Sequence, residues 1–423
     1  MIDNEIQNLD LTNKKFDKRL LIIFLIMFTE ILGFSIVLPV LPFLALSLGL
    51  TPFLIGLIAS IFSFCQLFAS PITGKLSDRF GRKPVFIVSQ VSTLIGFLLL
   101  GVATSAILLV ASRIIDGMFG SNMTVSQAYI SDITEPQERT KIYGYSSAVF
   151  GAGLIFGPSI GGILSTFNYS IPMFFAAGIT TISIVLVILF LPETVTERTE
   201  RFSIKLDEII PISEIKQYSK TPRVRGIIGV FFLYNIGFML FISNFALFAE
   251  IQFQINALEV GYYQTWIGIL RVILQTFFMA FILRVFGENT TLKLGVVAMI
   301  LSMLGLILAP NYLFVFLPLI FVAFGTGVCR PILTSKLTNS VVKKESGTVL
   351  GVNNSFSSIG QIITPIVGGG ILEFLPAITL PALSAFFFFS IFLLWRWGIS
   401  QPSRKVSTKI SAKAFDTVSS NPD

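Results

Sequence analysis

The sequence contains no histidine, two cysteines and only 13% charged residues in 423 positions. Each shortage excludes something. Without histidine, proton handling near neutral pH falls to carboxylates. Cys65 and Cys329 both fall in apolar runs and read as small core residues rather than a disulfide or a metal pair, so no metal site is expected. No Gly-x-x-x-x-Gly-Lys-Ser/Thr loop is present, so nothing supports ATP-driven chemistry or an enzyme built on it. At 53% hydrophobic residues and a mean hydropathy of +0.83, the chain has more apolar surface than a soluble fold can hide. The class is a multi-pass protein of the cell membrane. A net charge of +7 could suggest a nucleic-acid partner. The excess sits in short loops beside apolar runs, so no such partner is expected. Residues 1–19 are polar and run straight into the first apolar run without the pattern of a cleavable leader.

Apolar runs long enough to cross about 30 Å of hydrocarbon fall at 20–46, 52–73, 84–103, 106–130, 141–166, 171–191, 224–250, 258–285, 290–309, 312–335, 347–372 and 378–399. These are spans 1 to 12, an all-α fold of two pseudo-symmetric six-helix bundles with both termini cytoplasmic. Orientation is read from residues 74–83, Gly-Lys-Leu-Ser-Asp-Arg-Phe-Gly-Arg-Lys. No span tolerates that charge near its centre, so the stretch is expected to be a tight turn, with Gly74 and Gly81 for the backbone and Pro84 opening the next helix. Its cations Lys75, Arg79, Arg82 and Lys83 place it on the cytoplasmic face. Every other Lys or Arg then falls on the same side except Arg113, Arg271 and Arg330, which lie within spans. Six outer turns share none of the 30 basic residues.

The chain divides into a first bundle (1–191), a cytoplasmic linker (192–222), a second bundle (223–400) and a polar cytoplasmic tail (401–423). Within the linker, residues 202–218 carry an apolar face of Ile204, Ile209, Ile212 and Ile215. That suits a short helix on the membrane surface or a loosely ordered connection. The two halves are related. A shift of 207 positions superposes Glu138 on Glu345, Gly144 on Gly351, Gly153 on Gly360, Pro158 on Pro365, Gly161 on Gly368 and Gly162 on Gly369. This is an internal repeat of the kind found in transporters with parallel six-helix halves.

Charged groups inside the hydrocarbon point to function. At about 1.5 Å per residue, Glu30 lies roughly 15 Å deep from the inner face and Asp116 at the same level, with Arg113 one turn further out. Arg113 and Asp116 share a helix face, so the three can form one buried cluster between spans 1 and 4. Desolvation favours a neutral carboxylic acid and a nearby guanidinium favours its anion, so such a cluster can load and release protons as contacts change. It can equally be a static ion pair fastening two helices. Arg271, near mid-depth in span 8, can bind an anionic group or offset the acids. Arg330 can snorkel to the interface. Gly151, Gly153, Gly157, Gly161 and Gly162 around Pro158 read as a close, hinge-like contact of span 5 with span 8, or as ordinary close packing. Polar and aromatic candidates for a substrate cavity are Phe34, Gln66, Gln127, Tyr234, Asn235, Phe238, Trp266, Arg271, Asn353, Asn354 and Gln361.

These stretches together resemble the major facilitator superfamily. Residues 74–83 are similar to its loop between spans 2 and 3, and Arg113-Ile-Ile-Asp-Gly-Met-Phe-Gly120 to its span 4 motif. Gly151-Ala-Gly-Leu-Ile-Phe-Gly-Pro-Ser-Ile-Gly-Gly162 resembles the span 5 motif associated with antiporters. Gly33-Phe-Ser-Ile-Val-Leu-Pro-Val-Leu-Pro42 looks like the span 1 signature of twelve-helix drug/proton antiporters. Ala128-Tyr-Ile-Ser-Asp-Ile-Thr134 with Glu138 and Arg139 most resembles the tetracycline antiporter branch. The resemblance implies a proton-coupled exporter of small amphipathic compounds that works by alternating access as a monomer, with no cofactor beyond the proton gradient. It implies Glu30 as the span 1 acid, with Arg113 and Asp116 beside it. It also implies a cytoplasmic gate built from Gly74, Asp78, Arg79, Gly81 and Arg82, with Asp78 latching the amino end of span 11. The chain departs from the branch where Gly96 stands in place of a span 3 aspartate, and where the second copy of the loop motif has decayed to 283–288. A transporter of the same fold for an organic anion or metabolite is the main alternative, and a non-transporting receptor or scaffold the second.

Overall fold

In the computed structural model, residues 17–135, 138–195, 212–342 and 345–398 are described, and no strand occurs among them. The helices are α1 (Lys18–Ser47), α2 (Pro52–Phe80), α3 (Arg82–Gly101), α4 (Ala106–Phe119), α5 (Asn122–Ile133), α6 (Arg139–Ser165) and α7 (Ser170–Phe190). They continue as α8 (Ile212–Ser219), α9 (Pro222–Phe253), α10 (Ala257–Ile273), α11 (Met279–Leu308), α12 (Phe316–Thr338), α13 (Ser346–Phe374) and α14 (Thr379–Gly398). Among the described residues, ten helical stretches are long and apolar enough to cross a membrane. One of them, Ala257–Leu308, is 52 residues long. At about 1.5 Å per residue it exceeds two hydrocarbon thicknesses, and it breaks at Gly287, where φ is +69°. Most of the linker and all of the tail, residues 196–211 and 399–423, lie outside the described residues, and with them most of the expected surface helix.

Three departures from the sequence reading have local causes. The charged island 74–83 is mostly helix: α2 runs on to Phe80 and only Gly81 breaks it. Lys75, Asp78 and Arg79 fit a helix because they occupy its last two turns, where side chains reach the interface. Gly81 has φ +105°, a region that glycine enters without strain. Span 4 is two helices, parted at Gly120 and Ser121. Span 8 passes through a π-helical turn, Leu274–Phe278, a single-turn bulge of the kind that recurs at functional positions.

The chain forms two compact units, Met1–Leu48 with Cys65–Ser203, and Gly49–Phe64 with Ile204–Asp423. In the first, α1 packs on α6 and α7, and α3 on α4 and α7. Ile23, Ile26 and Met27 of α1, Phe86 of α3 and Val125 and Tyr129 of α5 fill its core. In the second, α9 packs on α13 and α14, α11 on α12 and α14, and α10 on α12.

Lipid tails are as apolar as leucine, so close backbone approach and interhelical hydrogen bonds hold such helices together. The repeated glycines supply both. A Cβ on Gly161 would stand 2.1 Å from the Ile36 carbonyl oxygen, and one on Gly153 2.7 Å from Ile31 Cγ2. Ser35 of α1 donates to the Gly153 carbonyl at 2.8 Å. Within their own unit, these glycines close on α1. Their backbone carbonyl and hydroxyl partners are on α1 because α1 is the neighbour of α6. The second unit repeats the device. Asn244 Nδ2 of α9 donates to the Thr364 carbonyl of α13 at 3.1 Å. A Cβ on Gly368 would meet Asn244 Nδ2 at 2.1 Å. Residues 49–64, the first half of α2, join the second unit by the same means: a Cβ on Gly56 would stand 2.1 Å from the Pro365 carbonyl oxygen, and Ser60 donates to the Ile362 carbonyl at 2.6 Å.

Gly161→Ala should therefore lower stability by about 1–3 kcal/mol, the usual range for overpacking. Gly178→Ala, where an added Cβ meets nothing within 4 Å, should be near neutral. The midpoint of heat-induced loss of monodisperse protein in detergent distinguishes them, and equal midpoints would refute the close-approach reading.

Candidate functional site

The polar interior of the first unit is organised by α3. On its inward face Gln90 and Thr93, three residues apart, project side by side. Gln90, fully buried, donates from Nε2 to Glu30 Oε1 of α1 at 2.8 Å and to Ser183 Oγ of α7 at 2.7 Å. One turn along, Thr93 Oγ1 donates to Asp116 Oδ1 at 2.8 Å and accepts from Asn122 Nδ2 at 3.1 Å. Asp116 and Arg113 are buried, each 5% exposed, with 3.8 Å between carboxylate and guanidinium. Arg113 also donates to Ser112 Oγ at 3.1 Å, and Ser112 Oγ to the Gly96 carbonyl at 2.9 Å.

The expected trio of Glu30, Arg113 and Asp116 is thus linked through α3. Glu30 and Asp116 hang from adjacent turns of one helix through Gln90 and Thr93. Gly96 explains how Asp116 fits: a Cβ there would lie 3.0 Å from Asp116 Cβ. The bare backbone of α3 leaves room for an acid carried by α4. The break after Phe119 belongs to the same site, since a Cβ on Gly120 would strike Asp116 Oδ1 at 2.4 Å. Sequence reasoning passed over Gln90, Thr93 and Ser183. The signal was a polar triplet, Ser89, Gln90 and Ser92 with Thr93 beside it, in an otherwise apolar run.

A second polar centre lies at the α2–α3 junction. Arg82, 8% exposed, pairs with Asp78 at 2.6 Å and with Asp132 of α5 at 2.8 Å, and donates to Ser77 Oγ at 2.6 Å. Arg79 lies over the Phe80 ring at 5.4 Å. Gly74 lies beside Thr124. Asp78 is thus engaged by Arg82 within its own unit. Glu193, just past α7, caps α3 by accepting from the Arg82 and Lys83 amides at 2.8 and 3.1 Å. A side chain on Gly81 would collide with that carboxylate, its Cβ 2.4 Å from Oε2. Burial pushes the Glu193 carboxyl up, but the amides of Val195, Arg82, Lys83 and Thr194 outweigh it and hold the group below its ordinary range. Neither Glu193 nor Asp132 carries a role in the sequence reading. The acid directly after span 6 was the available sign.

The cavity candidates are scattered. In the first unit Phe34 and Gln127 are exposed and Gln66 half-buried. In the second, Tyr234 is buried and stacks on Phe238, ring centroids 6.2 Å apart. Asn235 donates to Ser357 Oγ, which donates to the Asn353 carbonyl at 3.1 Å, so this pair stitches α9 to α13. Asn354 and Gln361 are exposed. Trp266 packs edge-on to Phe316. Arg271 is half-buried, and Gln275 in the π-turn donates to the Gly327 carbonyl at 3.1 Å.

Two helical units of repeated glycine-seam packing, crossing a membrane and carrying charge inside, define a multi-pass membrane transporter. Over residues 23–365 the sequence matches the Major Facilitator Superfamily, and the chain belongs to it. Members are transporters, not enzymes. The chain is 29% identical over 345 residues to Multidrug resistance protein 2 of Bacillus subtilis (strain 168), covering 81% of this chain and 86% of the relative. It is 28% identical to the class H tetracycline resistance protein of Pasteurella multocida, over 83% and 88% of the two chains. With the quinolone resistance protein NorA of Staphylococcus aureus (strain MRSA252) it shares 24% over 84% and 90%. In fold it is similar to the nucleoside transporter NupG (D323A mutant), at TM-score 0.74 and 14% identity over 90% and 99% of the two chains. The human organic anion transporter MFSD10 gives 0.65 and 21% over 89% and 99%.

Two outcomes are expected here. The depressed Glu193 carboxyl contributes stability above its unfolded value near 4.5 and loses it as pH falls through the lower folded value. Glu193→Gln should therefore lower the melting midpoint at neutral pH, and its gap to the wild type should close under acid. A gap independent of pH would show that the carboxylate contributes nothing. Gly96→Asp should destabilise by setting two acids against each other, and adding Asp116→Gly should recover most of the loss, as read in a double-mutant cycle.

Proposed function

We propose that this transporter exports small amphipathic compounds in exchange for protons, and that Glu30 and Asp116 carry the protons. The observation that bears most weight is the joined pair of acids inside the first unit. Both are held by neutral donors on α3, and one also faces a guanidinium. A neutral donor such as Gln90 or Thr93 can serve either form of a carboxyl group, whereas an arginine favours the anion. Asp116 therefore gains or loses its charge partner according to where Arg113 points, while its Thr93 bond can persist. That arrangement suits uptake of a proton in one conformation and release in another.

The relatives' names, which speak of multidrug, tetracycline and quinolone resistance, support export of amphipathic compounds. We place twelve spans in two six-helix halves with cytoplasmic termini, acting as a monomer by alternating access. The Arg82–Asp78–Asp132 network would then serve as the cytoplasmic gate, with Glu193 steadying its hinge at Gly81. The alternative of a static ion pair predicts loss of stability without loss of coupling, which the following measurement separates.

Purified protein in liposomes with a pH gradient and an internal pH dye should move protons when ethidium is added. Glu30→Gln should abolish that response, and Asp116→Asn should reduce it at least tenfold, with both variants remaining monodisperse. Full coupling in Glu30→Gln would end its proton role. Coupling retained in Asp116→Asn with a lowered melting midpoint would make the α4 pair structural.

A further inference from the structure

The charges inside the second unit are of one sign. Arg271, in the last turn of α10 where the helix runs on into the π-turn, and Arg330 of α12 both lie away from the ends of their spans. The acids described in this unit are Glu214, Glu250, Glu259, Glu288, Glu345 and Glu373, and every one stands at a helix end or break. Neither arginine has a hydrogen bond or ion pair through its guanidinium among the described residues. A cation in the hydrocarbon layer ordinarily faces a partner or an aqueous path. Arg330 is exposed and Arg271 half-buried, so both are open to an incoming group.

The two are also brought together. A Cβ on Gly327 of α12 would lie 3.8 Å from Arg271 Cγ, so the stem of Arg271 runs across α12 at that glycine. Arg330 follows Gly327 by three residues and lies on the same face, one turn on. In the same unit α9 carries Tyr234, which is buried. Tyr234 in turn stacks on Phe238 with an interplanar angle of 7°. The π-turn after Arg271, tied to α12 by Gln275, fixes the register between the helices that carry the two guanidiniums.

Two like charges held together without an acid make a receptor for an anion. Guanidinium forks match the planar, bidentate geometry of a carboxylate. We propose that Arg271 and Arg330 bind the carboxylate of an amphipathic acid. This rests on the reading of the chain as a transporter of amphipathic compounds and adds to that class amphiphiles bearing an acidic group.

The test uses wild-type protein in nanodiscs with 2-naphthoate and its neutral counterpart 2-naphthamide, binding being followed by calorimetry. The acid should bind at least tenfold more tightly than the amide, as expected for a charge-assisted hydrogen bond. Arg271→Gln should bring the acid to the level of the amide, Arg271→Lys should keep part of the preference, and Arg330→Gln should weaken the acid about threefold to tenfold. Equal affinity of acid and amide in the wild type, including no binding of either, overturns the proposal. So does a preference that survives Arg271→Gln in folded protein. Ethidium-driven proton flux, measured on the same preparation, reports separately on export. A naphthoate preference without that flux would leave the anion site standing and remove the proton-coupled reading.

Discussion

A bilayer interior supplies no water, so each polar group placed there needs a partner within the protein. The first unit meets part of this demand with neutral amides and hydroxyls rather than with opposite charges alone. Gln90 serves Glu30 and Ser183 together, and Thr93 serves Asp116 and Asn122. Helix α3 thus acts as a polar spine, and α1, α4, α5 and α7 are positioned by what they attach to it. A spine of neutral groups has a functional consequence. It satisfies an acid in either protonation state, so the fold does not depend on which state is present. An interior held only by ion pairs would lose a buried partner with each proton and leave an uncompensated charge.

Glycine performs the complementary task in both units. With hydrophobic driving force between helices largely absent, contact depends on how near two backbones can come. At Gly161 and Gly56 an opposing carbonyl occupies the place of a side chain. The repeat offset of 207 places Gly161 on Gly368, and both seams carry one polar pin: Ser35 to the Gly153 carbonyl, Asn244 to the Thr364 carbonyl. The chemistry of the pin has diverged while its geometry has stayed. The glycine signature of span 5 therefore reports the packing of a bundle on its own first helix.

Much of this could be read from the residues. Apolar length gives membrane-spanning helices, and the offset gives the repeat, because each depends on local composition or simple periodicity. Glu30, Arg113, Asp116 and Arg271 announce themselves as charges where charge is costly. What escaped depends on partners distant in sequence. Glu193 meets the amide of Arg82 across 111 positions, and its place directly after span 6 does not say which helix it will cap. Gln90 looks like any polar residue in a span until Glu30 and Ser183 are placed beside it. The island at 74–83 was misread as turn because its charge was weighed and its helical continuity was not. A helix can emerge from the membrane without ending.

The departure at Gly96 shows why a motif transfers less securely than a geometry. The tetracycline branch resembled here carries a span 3 aspartate, and this chain has none. Its space is filled from α4, where Asp116 stands in place of an uncharged residue. In this chain the acid of α4 meets Thr93 of α3. The same reasoning separates the two units. Away from the span ends, the described charges of the first are Glu30, Asp116 and Arg113, and those of the second are Arg271 and Arg330. Protons and an acidic substrate would then be received on different units by groups of opposite sign. Neither would compete for the other's partner, so coupling between them would have to pass through conformation rather than direct displacement. That distinguishes this chain from a transporter in which substrate and proton share one carboxylate.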